Sequence, residues 1–398
     1  MSRKVATREV AYNRVIAANP FNFGDLARND AFTDREAELA ELTADIRNGQ
    51  NVVVFAPRRY GKSSLVWRAS QDLVAKDDAL VAHIDLMRTA TKEQLAARLA
   101  EAIYEQIATP LMRVRARVIR AFRGLRISPT ISVDPEDGRI RFSFTAGLAP
   151  ADIDATLERL LELPAELGAG RGQRVAIVFD EFQEILSLDR RLPALMRSVF
   201  QTQPDIAHVY LGSKRSLMAR LFNDINEPFW RSARHMELGP IPADSFSRFI
   251  HERFATTGRS IEPEAVADVL AATGGHPYAT QELCYSLWEE TPDRGQADSG
   301  RVAAALARVL RSEHARFTLV WDQASGVQRL VLQALAAEPA AAITSAEYRR
   351  RHGLPGSSTI QRALDALVGD ELVARGGPGS YRIAEPFLAD WVRANARG

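Results

Sequence analysis

Residues 51–67 read NVVVFAPRRYGKSSLVW. Val52–Phe55 is an unbroken apolar, β-branched run, the mark of a strand buried on both faces. A short loop follows, and helical spacing begins at Lys62. Backbone N–H groups in such a loop, opening onto a helix N-terminus, face anionic phosphate, and the helix dipole adds to the attraction. The candidate binding residues are Pro57, Arg58, Arg59, Tyr60, Gly61, Lys62, Ser63 and Ser64. Lys62 is expected to reach the β/γ-phosphates, and the Ser63 hydroxyl to bind Mg²⁺. The phosphate-loop pattern has glycine where this chain has Ala56. That exchange costs little if the residue keeps a negative φ. The competing reading is an ordinary strand–turn–helix with a surface lysine.

Outward from this loop, the runs 80–86, 175–179, 208–212 and 234–239 alternate with helical patterns at 62–76, 91–108, 191–201 and 214–222. Continuous apolar strands separated by helices predict a three-layer α/β core with a parallel sheet. An earlier helix spans 34–48, with Asp34 as its N-cap and Gly49 as its stop. RVAIVFDEFQEI (174–185) ends a strand in Asp180-Glu181, at the end of such a sheet where ligands bind. Asp180 is expected to hold Mg²⁺ through water, and Glu181 to polarise an attacking water. The alternative is a pair of solvated carboxylates opening a helix. Ser213, just past a buried strand, orients that water or opens the next helix. Arg231 could stabilise transition-state charge, in its own site or a neighbour's. Arg234 is expected to pair with Glu227 or Glu237. In ATGGHPYATQEL, Pro277 starts a helix that could lean on a nucleobase, and His276 is a turn residue.

The chain has 398 residues and a formal net charge of +1, so nucleic-acid binding would need a local patch. Cys284 is the single cysteine and cannot form an internal disulfide, which suits a cytoplasmic protein. No apolar leader or membrane-length run is present. The expected domains are a core over 1–240, a helical lid over 241–322 and a winged helix over 323–398. The lid is expected as helices 243–256, 262–273, 278–290 and 300–318. An insertion at about 111–148 carries Arg113, Arg115, Arg117, Arg120, Arg123 and Arg126, then a hairpin around Arg139 and Arg141. It is a solvated cationic face or a docking surface for DNA or an acidic partner.

NPFNFG (19–24), AFTDREAEL (31–39), APRRYGKSSL (56–65), IVFDEFQEI (177–185), GGHPYATQEL (274–283) and YRIAEPFLADWV (381–392) occur in one order. In this the chain resembles the archaeal-type P-loop ATPases, near the origin-recognition branch of AAA+ and among the STAND ATPases. The resemblance implies ATP and Mg²⁺ as ligands. It places Walker A on Ala56–Ser64, Walker B on Asp180 and Glu181, and the family's Gly-x-Pro motif on Gly275–Pro277. The Pro20–Phe23 segment, with Phe21 and Phe23, resembles the stretch bordering adenine. The expected activity is slow ATP hydrolysis that switches conformation or assembly, with a homo-oligomer if Arg231 acts in trans. The alternative is a nucleotide-gated DNA-binding protein that reads duplex through 357–372, with Arg349–Arg351 and the wing arginines Arg375 and Arg382. A separately encoded effector protein is a further possible partner.

Overall fold

The computed structural model describes residues 18–24, 32–87, 89–108, 125, 130–134, 140–143, 149–169, 174–340, 342–377 and 379–395. The arginines named in the insertion lie outside them, apart from Arg141 of the hairpin.

Helix α1 (Glu36–Arg47) precedes β1 (Val52–Phe55) and the loop helix α2 (Lys62–Ala75). Strand β2 (Ala79–Asp85) leads to α3 (Lys92–Ala102), where Thr91 caps the first turn by accepting from the Gln94 amide. The helical pattern expected to 108 continues there as a π-turn over Ile103–Ala108. β3 (Thr130–Val133) and β4 (Ile140–Ser143) form the antiparallel hairpin, seated on the core by Phe142. Helix α4 (Pro150–Gly168) was not expected from sequence. Pro164 inside it masks the periodicity, yet Leu157, Leu160, Leu161 and Leu163 are fully buried. β5 (Arg174–Asp180), α5 (Leu192–Phe200), β6 (Ile206–Gly212), α6 (Arg215–Asn223) and β7 (Arg234–Glu237) complete the core.

The five core strands are parallel, in the order β2-β5-β6-β1-β7. Alternation along β1 sends Val53 and Phe55 to one face and Val52 and Val54 to the other, and a separate apolar cluster covers each. Asp34 does not cap α1. That position is taken by Arg35 at φ 96°, while the Asp34 carboxylate accepts from the Ser245 hydroxyl.

The lid holds α7 (Ala243–Thr256), α8 (Pro263–Thr273), α9 (Pro277–Glu290) and α10 (Ser299–Ser312), with Asp298 capping α10. The single helix expected over 300–318 breaks at Glu313, and a second helix, α11 (His314–Gln323), follows. The winged helix comprises α12 (Gly326–Ala337), α13 (Ala346–Arg351), α14 (Ser357–Gly369), an antiparallel wing of residues 373–377 and 380–383, and α15 (Pro386–Asn395). A Ser325–Gln328 capping box opens α12. Lid and winged helix share one buried cluster, from Phe254 and Leu283 through Phe317 to Leu364 and Trp391. The two pack as one body.

Candidate nucleotide site

Strand register sets the site. Phe55 of β1 lies level with Gly212 of β6, and β6 runs beside β5. The loop after β1, the turn after β6 and the acids closing β5 therefore meet at one end of the sheet. Gly61 (φ 84°) and Arg59 (φ 65°) carry the loop's left-handed turns, whereas Ala56 is not at positive φ. A β-carbon on Gly61 would meet no atom within 4 Å, so the backbone there faces open space. The glycine expected at position 56 is dispensable because the turn is made further along.

Lys62 is buried, and its ammonium donates to the carbonyls of Ala56 (2.8 Å) and Pro57 (3.0 Å). Burial lowers its pKa, opposed by the charges of Glu181 and Asp180. The Ser63 hydroxyl donates to Asp180 Oδ2 at 2.8 Å. Burial raises the pKa of Asp180, and the Ser63 hydrogen bond holds it back. Glu181 turns sideways at φ 51°, its amide donating to Asp180 Oδ1. Ser213 Oγ donates to Glu181 Oε2 at 2.8 Å, while the next residue, Lys214, is the N-cap of α6. The hydroxyl thus serves the carboxylate and does not open the helix.

A cleft of about 750 Å³ opens between the loop and the lid. Arg58, Arg59, Tyr60, Gly61, Lys62, Ser63, Ser64, Glu181 and Pro277 line it, as do Phe23, Phe32, Arg35, Tyr278 and Gln281. Phe23 stands edge-on to Tyr278 and Tyr285, making an aromatic wall. Phe21 does not line the cleft. It packs against Phe249 and Phe254 in the lid core, which corrects its expected place beside a base. Pro57 offers only its carbonyl, to Lys62. His276 caps α9 by accepting from the Ala279 amide, as a turn residue does. Sequence reasoning passed over Arg35, which is buried and reaches from α1 to the Gly239 carbonyl at 2.5 Å.

Arg231 does not reach its own cleft. It is exposed, its guanidinium lies 5.0 Å from the Trp230 ring centre, and it precedes β7 at the end of the sheet opposite the loop. Arg234 pairs with Glu41 and Asp45, not with Glu227 or Glu237, which Arg220 and Arg215 take instead.

The winged helix also reaches the loop. Arg58 Nε lies 2.9 Å from Glu371 Oε2, and Arg59 Nη1 lies 3.8 Å from Glu385 Oε2. Arg59 also lies over the Tyr278 ring at 4.1 Å. Burial raises the pKa of both glutamates, their arginine neighbours opposing it. The Oε1 atoms of both are buried without a hydrogen-bond partner. Elsewhere on this domain, Arg351 is tied to Glu338 and Glu347, and Arg375 to Asp365.

A phosphate-facing loop on β1, a buried lysine and a carboxylate pair on β5 define a P-loop nucleotide-binding protein. Residues 32–283 match the family described as an ATPase domain predominantly from Archaea, and the chain belongs to that family. It is an ATPase. Residues 315–394 match a probable winged helix domain. Among solved structures, the chain is similar to the Walker-type ATPase of Pyrococcus abyssi, at 18% identity and a TM-score of 0.64. That match covers 94% of this chain and 99% of the other. It is also similar to the ORC1 protein of Aeropyrum pernix in complex with DNA, at 14% identity and a TM-score of 0.49, over 92% and 94% of the two chains. No curated protein sequence matches the chain. Among the described residues, no helix is long and apolar enough to cross a membrane.

Proposed function

We propose that this ATPase is a nucleotide-dependent conformational switch of the STAND type. One observation carries the reading: consecutive loop residues, Arg58 and Arg59, pair with carboxylates of the winged helix, Glu371 and Glu385. Phosphate entering the loop competes with those carboxylates for the same guanidinium groups. ATP therefore favours an arrangement in which lid and winged helix move off together, and the closed form is favoured without it. Ser63 and Asp180 are oxygen donors of the kind a hard cation prefers, so these two would hold Mg²⁺, which when bound would neutralise phosphate charge. In hydrolysis, a water oxygen bonds to the γ-phosphorus as the bond to the β-phosphate oxygen breaks. Glu181 takes the water's proton, ADP leaves with the bonding pair, and Lys62 steadies the phosphate charge.

The test is small-angle scattering on the full chain with no nucleotide, with ADP, and with ATP on a Glu181→Gln background. A larger radius of gyration with ATP alone is expected. The same radius in all three states would falsify the switch.

A specific feature favours a second reading, DNA binding. The N-terminal end of α14 presents Ser357, Ser358 and Arg362 outward, and Arg350 and Arg382 are exposed nearby. Against it, two of the expected arginines are spent on internal pairs. Duplex binding that weakens steeply with salt and is lost in Arg350→Glu/Arg362→Glu would establish it. Arg231 and Trp230, exposed at the sheet edge, suit contact with a second copy better than action in their own cleft. A separate effector protein would then read the opened state.

A further inference from the structure

Two donors converge on one oxygen of Glu181. Ser213 Oγ donates to Oε2 at 2.8 Å, and Gln183 Nε2 donates to the same atom at 2.5 Å. No hydrogen bond to Oε1 is made among the described residues, and Glu181 borders the cleft. Gln183 is 2% exposed, in the tight turn Phe182–Glu184 that follows the acid pair. Its own Oε1 is buried and unpartnered. A buried amide that leaves one end unsatisfied costs about 1–3 kcal/mol, a cost an isosteric methionine would avoid.

The surroundings are shaped around this amide. A β-carbon on Gly212 would lie 2.7 Å from Gln183 Oε1 and would overlap the Met218 side chain. Glycine at the end of β6 is therefore what admits both side chains. Glu181 itself is held at φ 51°, a left-handed conformation that costs a non-glycine residue about 1–2 kcal/mol. Both features disfavour folding, and both converge on the orientation of one carboxylate.

We infer that Gln183 is a positioning residue for ATP hydrolysis: with Ser213 it fixes Glu181 by Oε2, so that Oε1 is the oxygen presented to the attacking water. This rests on the reading of Glu181 as the group that takes the water's proton. A carboxylate on a flexible stem samples several rotamers, and a displacement of about 1 Å at a reacting group can cost on the order of 10²-fold in rate. Two donors from two different turns, one after β5 and one after β6, remove that freedom. Gln183 touches neither nucleotide nor water; it acts through Glu181.

The experiment is single-turnover ATP hydrolysis with separate measurement of ATP affinity. Gln183→Met keeps the volume and removes the donor. It should lower turnover about 10–100-fold while ATP affinity stays within about twofold. On a Glu181→Ala background the same substitution should have no further effect, because nothing remains to be positioned. Gln183→Glu supplies a second variant. Its carboxyl can donate as the amide does only when protonated, so turnover should be recovered at low pH and lost as pH rises, relative to wild type. Unchanged or faster turnover in Gln183→Met overturns the inference. So does an equal loss on the Glu181→Ala background, which marks a packing role. If Gln183→Met does not fold, the pH profile of Gln183→Glu decides, and a profile parallel to wild type overturns the inference. Wild-type protein that binds ATP without hydrolysing it would remove the reading of Glu181 as well, a failure distinct from each of these.

Discussion

Glu371, in the turn just past α14 of the winged helix, lies 2.9 Å from Arg58 in the nucleotide loop. It sits at φ 61° and is partly buried, while Arg58 is 58% exposed on its side chain. The pair is thus half wet, and its strength is that of a surface ion pair, at most about 1 kcal/mol.

Removing the charge at both contacts should loosen closure by a modest factor. Glu371→Gln/Glu385→Gln removes the competitors for Arg58 and Arg59 and is expected to slow release of a fluorescent, non-hydrolysable ATP analogue by up to about 25-fold, at roughly 1 kcal/mol or less per pair. The single substitutions should each give up to about fivefold. Stopped-flow displacement measures this directly. Unaltered release in the double variant would mean that the carboxylates do not compete with phosphate for Arg58 and Arg59.

The loop makes a sharp contrast testable. Ala56→Gly should leave ATP affinity within about twofold and lower stability by roughly 0.5–1 kcal/mol, through a more flexible unfolded chain. Gly61→Ala, at φ 84°, should cost about 1–2 kcal/mol and sharply weaken ATP binding where the backbone must approach phosphate. Chemical denaturation and calorimetric titration separate the two effects.

Ser63 and Asp180 are expected to matter for hydrolysis more than for capture of the base. Asp180→Asn should reduce turnover by at least about 10²-fold while the adenine end still binds, and chelation of divalent cations in wild type should have the same effect. Turnover that persists in excess chelator would exclude a cation at these two oxygens.

The junction of loop, lid and winged helix should sense pH. Glu282, on α9, is 4% exposed. Burial first, then the charges of Glu313 and Glu385, push its pKa up to about 7, against the pull of Arg59 and Arg316. Tyr278 faces the same group, its own pKa raised by burial and then by Glu282. The folded state holds this proton more tightly than the unfolded one does. The contribution of Glu282 to stability is therefore greatest below about pH 4.5 and declines as pH rises to about 7. Glu282→Gln should raise stability at pH 8 by on the order of 1–3 kcal/mol and leave it nearly unchanged at pH 4. Melting curves at the two pH values test this.

Much of the core was legible because its signals are local. The apolar run Val52–Phe55, the lysine at the start of α2 and the acids closing β5 are each written in a few consecutive residues. Their convergence follows from the parallel topology those strands imply. What was not legible depends on tertiary contact. Phe21 and Phe23 stand two residues apart and look equivalent, yet one fills the lid core and the other walls the cleft. Ser213 was placed near the water but not on the Glu181 carboxylate, which only the pairing of β5 with β6 brings within reach. Gln183 stood in plain view beside Glu181. Its burial, which gives it meaning, depends on the glycine at 212 and the methionine at 218. Helix α4 was hidden by Pro164, where packing of four leucines overrides a poor local propensity.

The common interior of lid and winged helix has a thermodynamic corollary. A body that spans both cannot be tugged at its far surface without disturbing the grip at Arg58 and Arg59. Any molecule that prefers the detached body must weaken or strengthen nucleotide capture by the factor with which nucleotide alters that molecule's own affinity. Titrating nucleotide against a prospective partner, and the partner against nucleotide, would then return one and the same coupling constant.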